Sequence, residues 1–298
     1  MTEASSSFGV LTLATPHDYL KAIGLALSLR VSNPGVPIAV ACSPRVMPLV
    51  KPHFDFVIEE KAGVRGFAHK VYLDQYSPFI ETVFFDSDVL AFRPLLPYVH
   101  SWGPGPYYAC GGYTTGGTSY FGLDRTAILK KLGKDRLVVI DGAGHALFRK
   151  PSCNAVFDLA REVTANYDNL AGNIKYADED VLSIVLTSMD IPPAPAADHF
   201  HARYLSAKVG TMNIDATQGI CNFIASDPTL NGRRIEPYVV HFADREAPYA
   251  YTQQLLKLFR KFNVPTEGLI AMGASDFYQS AIKNPISRRR KWVSSLFR

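Results

Sequence analysis

The feature that most constrains this chain is a series of four short apolar runs in its first 85 residues. They are residues 9–15 (GVLTLAT), 37–43 (PIAVACS), 54–59 (FDFVIE) and 82–85 (TVFF). The runs are β-branched and hardly alternate, which is the pattern of strands buried on both faces. Between the first two, Tyr19, Ile23, Ala26, Leu27 and Arg30 fall at helical spacing. Pro44 can open a helix through Val50, and residues 69–76 read as helical ahead of the fourth run. Strand and helix in alternation predict an α/β domain with a mostly parallel sheet flanked by helices.

Further along the pattern changes. Residues 102–122 are rich in Gly, Tyr and Thr (Gly111, Gly112, Gly116, Gly117) and predict loops with short antiparallel strands. Residues 154–166 and 178–189 read as helices and 238–242 as a strand. A last helix is expected over 251–262, with Leu255, Leu258, Phe259 and Phe262 on its apolar side. No internal repeat is visible.

Composition excludes several classes. The 298 residues are 47% hydrophobic with 35 aromatic rings, too apolar for a disordered or collagenous chain. Six of the 31 basic residues lie from Lys283 onward, where no acidic residue stands. That leaves 25 Lys and Arg against 27 Asp and Glu, a body near −2. A nucleic-acid footprint on the main domain is therefore not expected. The four cysteines (Cys42, Cys110, Cys153, Cys221) show neither disulfide nor zinc spacing. The acidic start and the lack of an apolar run near 20 residues lead us to expect a cytoplasmic protein.

The chemistry concentrates where the fourth run ends, in Asp86-Ser87-Asp88. Ligands of open α/β sheets bind outside the carboxyl ends of the strands. Two carboxylates flanking one residue there offer hard oxygen ligands for Mg²⁺ or Mn²⁺, with a nucleotide diphosphate completing the coordination. A pair of turn formers is the bland alternative.

The order TLATPHDY, a basic residue on a helix, a strand ending in Asp-x-Asp, Asp178-Glu179-Asp180-Val181-Leu182 and a late His241 resembles the GT-A nucleotide-sugar glycosyltransferases. It is most similar to the galactosyltransferase and glycogenin-like family 8. The resemblance spans roughly residues 9–245 and implies a GT-A (Rossmann-like) catalytic domain over 1–250, with a C-terminal helical extension over 251–298. It implies that Ala14, Thr15 and Tyr19 hold the base and ribose of a UDP-sugar, and that Lys70, Asp86 and Ser87 contact the donor. Asp86, Asp88 and His241 would bind Mn²⁺ or Mg²⁺. The implied reaction is sugar transfer with retained configuration to a glycan or lipid-linked acceptor. This chain departs from the family at Glu179, where Gln is usual, and at Asp244 and Ala247, where Gly and Lys follow the late His; Arg245 stands beside them.

On the acceptor side the candidates are Asp141, His145, Asp178, Glu179 and Asp180. In an inverting enzyme a carboxylate or His there could take the acceptor proton; in a retaining one Glu179 could act as nucleophile, or the leaving phosphate could take the proton. The acidic triplet also suits a helix N-terminus. The tail places Ile286, Val293 and Phe297 on one helical side with Trp292 and Leu296 beside them, next to Arg288-Arg289-Arg290-Lys291. Such a segment suits peripheral attachment to an anionic membrane surface. Two other readings of Asp-x-Asp are a haloacid-dehalogenase-like phosphatase and a GT-A module that binds a nucleotide-sugar without turning it over.

Overall fold

A computed structural model describes residues 7–140, 144–194, 201–203, 206–227, 231–242 and 248–278. In chain order the first elements are β1 (Phe8–Ala14), α1 (Tyr19–Ser32), β2 (Ile38–Cys42), α2 (Met47–Val50), β3 (Phe56–Glu59), a 3-10 helix (Gly66–Tyr72) running into α3 (Leu73–Tyr76), β4 (Glu81–Phe85) and β5 (Val89–Ala91). Next come α4 (Leu96–His100), β6 (Tyr107–Tyr108), β7 (Gly111–Thr114), α5 (Arg125–Leu132), β8 (Leu137–Ile140), β9 (His145–Arg149), α6 (Asn154–Ala165), α7 (Tyr167–Ala171) and α8 (Asp178–Ser188). The rest are β10 (His201–Arg203), β11 (Asn213–Asp215), β12 (Ile220–Ile224), β13 (Arg234–Ile235), β14 (Val239–His241), α9 (Pro248–Lys261) and α10 (Glu267–Phe277). Among the described residues no helix is long and apolar enough to cross a membrane.

All four early runs form strands, each within two residues of its predicted limits. The helix predicted from Pro44 begins only at Met47 and lasts four residues, because Pro48 and Pro52 withhold the N–H groups that would extend it. The segment predicted helical over 69–76 is helical, but its first part is the tighter 3-10 form. The tail, with its predicted amphipathic segment, lies outside the described residues.

The residues group into two compact units. The first comprises residues 7–19, 35–87 and 94–194. Its six-stranded sheet runs β3-β2-β1-β4-β9-β6. β3, β2, β1 and β4 are parallel, whereas β9 runs antiparallel to both β4 and β6. This is the expected α/β architecture with a mostly parallel sheet. β1, β2 and β4 are buried on both faces, which explains their unbroken apolar sequence. One core joins Leu11, Phe84 and Phe148 of the sheet to Val156 and Phe157 of α6 and Val181 and Val185 of α8. A two-stranded ribbon of β7 and β8 belongs to the same unit. A Cβ on Gly111 would lie 2.1 Å from the Val139 carbonyl oxygen, so that strand pair closes only over glycine.

The second unit comprises residues 20–34, 88–93 and those described from 201 onward. It holds two three-stranded sheets, β10-β14-β5 and β11-β12-β13, with the rest of α1 and with α9 and α10. Ser28 of α1 accepts the Ala91 N–H at 3.0 Å, and a Cβ on Gly24 would strike Leu255 of α9. Leu255, Leu258 and Phe259 are fully buried, as their spacing predicts, whereas Phe262 is 37% exposed, one residue past the end of α9.

Candidate active site

The first unit builds its site from three elements. β4 sits between β1 and β9 and delivers Asp86 to the carboxyl end of the parallel strands, where the Asp86 N–H donates to the Gly144 carbonyl at 2.9 Å. The 3-10 helix carries Lys70, which is only 6% exposed. α8 begins at Asp178, itself 4% exposed, because Ala177 is still extended and the acidic triplet favours the positive end of the helix. The Lys70 ammonium lies 2.9 Å from Asp86 Oδ1, 3.1 Å from Asp86 Oδ2 and 2.9 Å from Asp178 Oδ2.

Two rings flank that nitrogen, with centroids 5.6 Å (Phe67) and 5.7 Å (Phe84) away. Phe67 reaches it because residues three apart eclipse in a 3-10 helix. Burial works against the lysine's charge, but Asp86 and Asp178 outweigh it and raise the pKa above the ordinary lysine value. One cation between two carboxylates leaves the cluster with an excess of one negative charge.

α8 also fixes Asp180, whose carboxylate accepts from Ser119 Oγ at 3.0 Å and Tyr167 Oη at 3.2 Å. Burial raises its pKa above the usual aspartate value, with those two bonds opposing. Ser119 also accepts the Leu123 N–H at 3.0 Å, so Asp180 anchors the turn before α5. Glu179, between the two buried acids, is half-buried. His145 is 1% exposed on β9, and its Nε2 accepts the Cys110 N–H at 3.1 Å, which makes the ring a backbone anchor. Asp141 lies outside the described residues, as do Asp244, Arg245 and Ala247.

At the end of β1, Ala14 is buried and pairs with Cys42, and Thr15 is exposed. Thr15 donates its N–H to Asp18 Oδ1 at 2.5 Å and accepts the Tyr19 N–H at 3.0 Å, a turn that leads into α1. β1 and β4 are parallel, so Thr15 and Asp86 follow strands at the same edge of the sheet.

In the second unit, Asp88 and His241 meet. β5 pairs antiparallel with β14 so that Val89 faces His241, and the Phe242 N–H donates to the Asp88 carbonyl at 3.0 Å. His241 Nε2 lies 3.0 Å from Asp88 Oδ1. Burial alone would raise the Asp88 pKa, but its hydrogen bond and charge interaction with His241, with Lys21 adding to them, hold it below the usual value. Ser87, half-buried, links this pair to Asp86 along the chain.

The structure thus brings Lys70, Asp86 and Asp178 together in one unit and Asp88 and His241 in the other. Sequence reasoning missed Phe67, Ser119 and Tyr167. The three-residue spacing of Phe67 and Lys70 was a usable signal, whereas nothing local ties Ser119 or Tyr167 to Asp180.

The fold is that of the GT-A nucleotide-sugar glycosyltransferases. The chain is similar to the galactosyltransferase LgtC, solved with donor and acceptor sugar analogs, at a TM-score of 0.54 and 15% identity, covering 89% of this chain and 99% of that one. It is also similar to the bifunctional glycosyltransferase WbbM, at a TM-score of 0.52 and 12% identity over 87% of this chain, and spans about half (52%) of that protein. The glycosyltransferase GlyE of Streptococcus pneumoniae TIGR4 matches at a TM-score of 0.50 and 11% identity, covering 87% of this chain and 63% of that one. No protein-family profile and no curated protein sequence matches the chain.

Proposed function

We propose that this chain is a metal-dependent glycosyltransferase that moves a sugar from a UDP-sugar to a glycan or lipid-linked acceptor. The observation that carries the reading is the buried Lys70 between Asp86 and Asp178, at the strand ends where a fold of this class takes its ligand. Ala14, Thr15 and Tyr19 would hold the nucleoside, and Lys70 the diphosphate.

Asp86, Asp88 and His241 are the metal ligands in this reading. Two carboxylates and an imidazole are donors that Mn²⁺ or Mg²⁺ accepts, and the lowered Asp88 pKa keeps that carboxylate ionised at neutral pH. Bound there, the ion would offset the charge that grows on the leaving diphosphate. The protein's own groups do the rest. Lys70 orients the diphosphate through charge-assisted hydrogen bonds. Asp178 holds that lysine in place, and Glu179 would be the group that faces the sugar's reacting carbon, with retention of configuration. Asp141 and Asp180 are the further acceptor-side candidates. The reading includes a cytoplasmic location, with the basic tail resting on an anionic membrane surface.

The test is UDP release from a panel of UDP-sugars with and without Mn²⁺, run beside a simple phosphate ester. Metal-dependent UDP release supports the proposal. Ester hydrolysis without it would point to a phosphatase, and failure of every UDP-sugar even to bind would contradict the proposal.

A further inference from the structure

Lys70 engages both carboxylate oxygens of Asp86, at 2.9 and 3.1 Å, and one oxygen of Asp178 at 2.9 Å. It does so while 6% exposed and flanked by the Phe67 and Phe84 rings, so its ammonium puts a fixed positive charge against both carboxylate oxygens that another cation would use. The ammonium thus lies against both Asp86 oxygens. Asp178 offers the lysine a second anchor, one that does not depend on Asp86.

We propose that Lys70 is a place-holder for the divalent cation, leaving Asp86 only when a nucleotide diphosphate supplies a new partner for its ammonium. This rests on the transferase reading above. A cation approaching alone must displace a fixed positive charge from its own ligand, so it binds weakly. When the diphosphate arrives, Lys70 turns from Asp86 to a phosphate oxygen while keeping Asp178, and Asp86 becomes free for the metal. Metal and nucleotide then enter as a pair, with a coupling that works in both directions. The empty site gains from this arrangement, because Asp86 and Asp178 never face each other without a cation between them.

The experiment titrates Mn²⁺ calorimetrically into the full chain, alone and with saturating UDP, for wild type and Lys70→Met. Lys70→Gln, which keeps a hydrogen-bond donor between the carboxylates, serves as the second variant if Lys70→Met melts early. With Mn²⁺ alone, either variant should bind about tenfold tighter or more, because the competing charge is gone. With UDP present the sign should reverse, and the variants should bind Mn²⁺ more weakly than wild type because the diphosphate has lost its lysine. A lysine that acts only through space would tighten Mn²⁺ in both conditions. That result, or no change in either, overturns the proposal. Absence of Mn²⁺ binding to wild type even with UDP would overturn the transferase reading, and this inference with it.

Discussion

Asp180 gives the most quantitative test of how α8 is held. Its carboxylate is 4% exposed and accepts from Ser119 and Tyr167. Asp180→Ala would strand both hydroxyl donors in the interior. Hydrogen bonds to a charged group are worth about 1.5–3 kcal/mol each, and relief of the buried charge returns part of that, so we expect a loss of about 3 kcal/mol. For a chain of this size, about 2 °C per kcal/mol puts the fall in melting temperature at ~6 °C. Asp180→Asn keeps an oxygen that can accept both bonds and loses the charge, so it should stay within about 1 kcal/mol of wild type.

The pH dependence has a definite sign. Burial raises the Asp180 pKa in the folded chain above its unfolded value. The folded state therefore holds this proton more tightly. The stabilisation it gives is complete below the unfolded value of about 3.9 and is lost as pH rises through the folded pKa. Asp180→Asn cannot titrate, so its melting temperature should gain on wild type as pH rises through that window. Differential scanning calorimetry of the three proteins between acid and neutral pH measures both effects. An Asp180→Ala protein as stable as wild type, or an Asp180→Asn gain that shrinks with rising pH, would show that Asp180 does not hold α8 in this way.

Two further outcomes follow. Arg161 clamps the buried Asp74 with contacts of 2.9 and 3.2 Å and also donates to the Val71 carbonyl at 2.9 Å, so Arg161→Met should cost about 3–5 kcal/mol by leaving a buried carboxylate unpaired; thermal melting would show it. Deleting residues 288–298 should abolish sedimentation with anionic vesicles at low salt and leave UDP release unchanged, since each basic side chain at such a surface is worth about 1 kcal/mol; equal sedimentation of the two proteins would contradict it.

The sheet was legible because its inner strands are buried on both faces. β1, β2 and β4 must be apolar throughout, and that continuity shows in one dimension. β5, β6, β10 and β13 are two or three residues long and are defined by their partners, so no local pattern announces them. α5 escaped notice although Asp124 caps it by accepting the Ala127 N–H at 3.0 Å and Gly133 ends it at φ 62°, because its exposed face is basic and only Ile128 and Leu129 are buried. At the site, Asp86, Asp88 and the acidic triplet were readable from a strand end and a helix start, and Lys70 only from the family resemblance. The spacing could not say that Lys70 would face Asp178 as well as Asp86, since that contact joins residues 108 positions apart. Nor could it divide the triplet into an ion-paired Asp178, a half-buried Glu179 and a hydrogen-bonded Asp180, which depends on what packs around the first turn of α8.

In the proposed reaction a divalent ion on the Asp-x-Asp segment holds the nucleotide-sugar. Calorimetric binding of a UDP-sugar to wild type and Asp88→Asn, each with Mn²⁺ and with chelator, tests it most directly. We expect Mn²⁺-dependent binding to wild type and loss of the metal-dependent part in Asp88→Asn, with an unchanged circular dichroism spectrum. Asp88→Asn protein that binds the UDP-sugar with the same affinity and the same response to Mn²⁺ as wild type would contradict it.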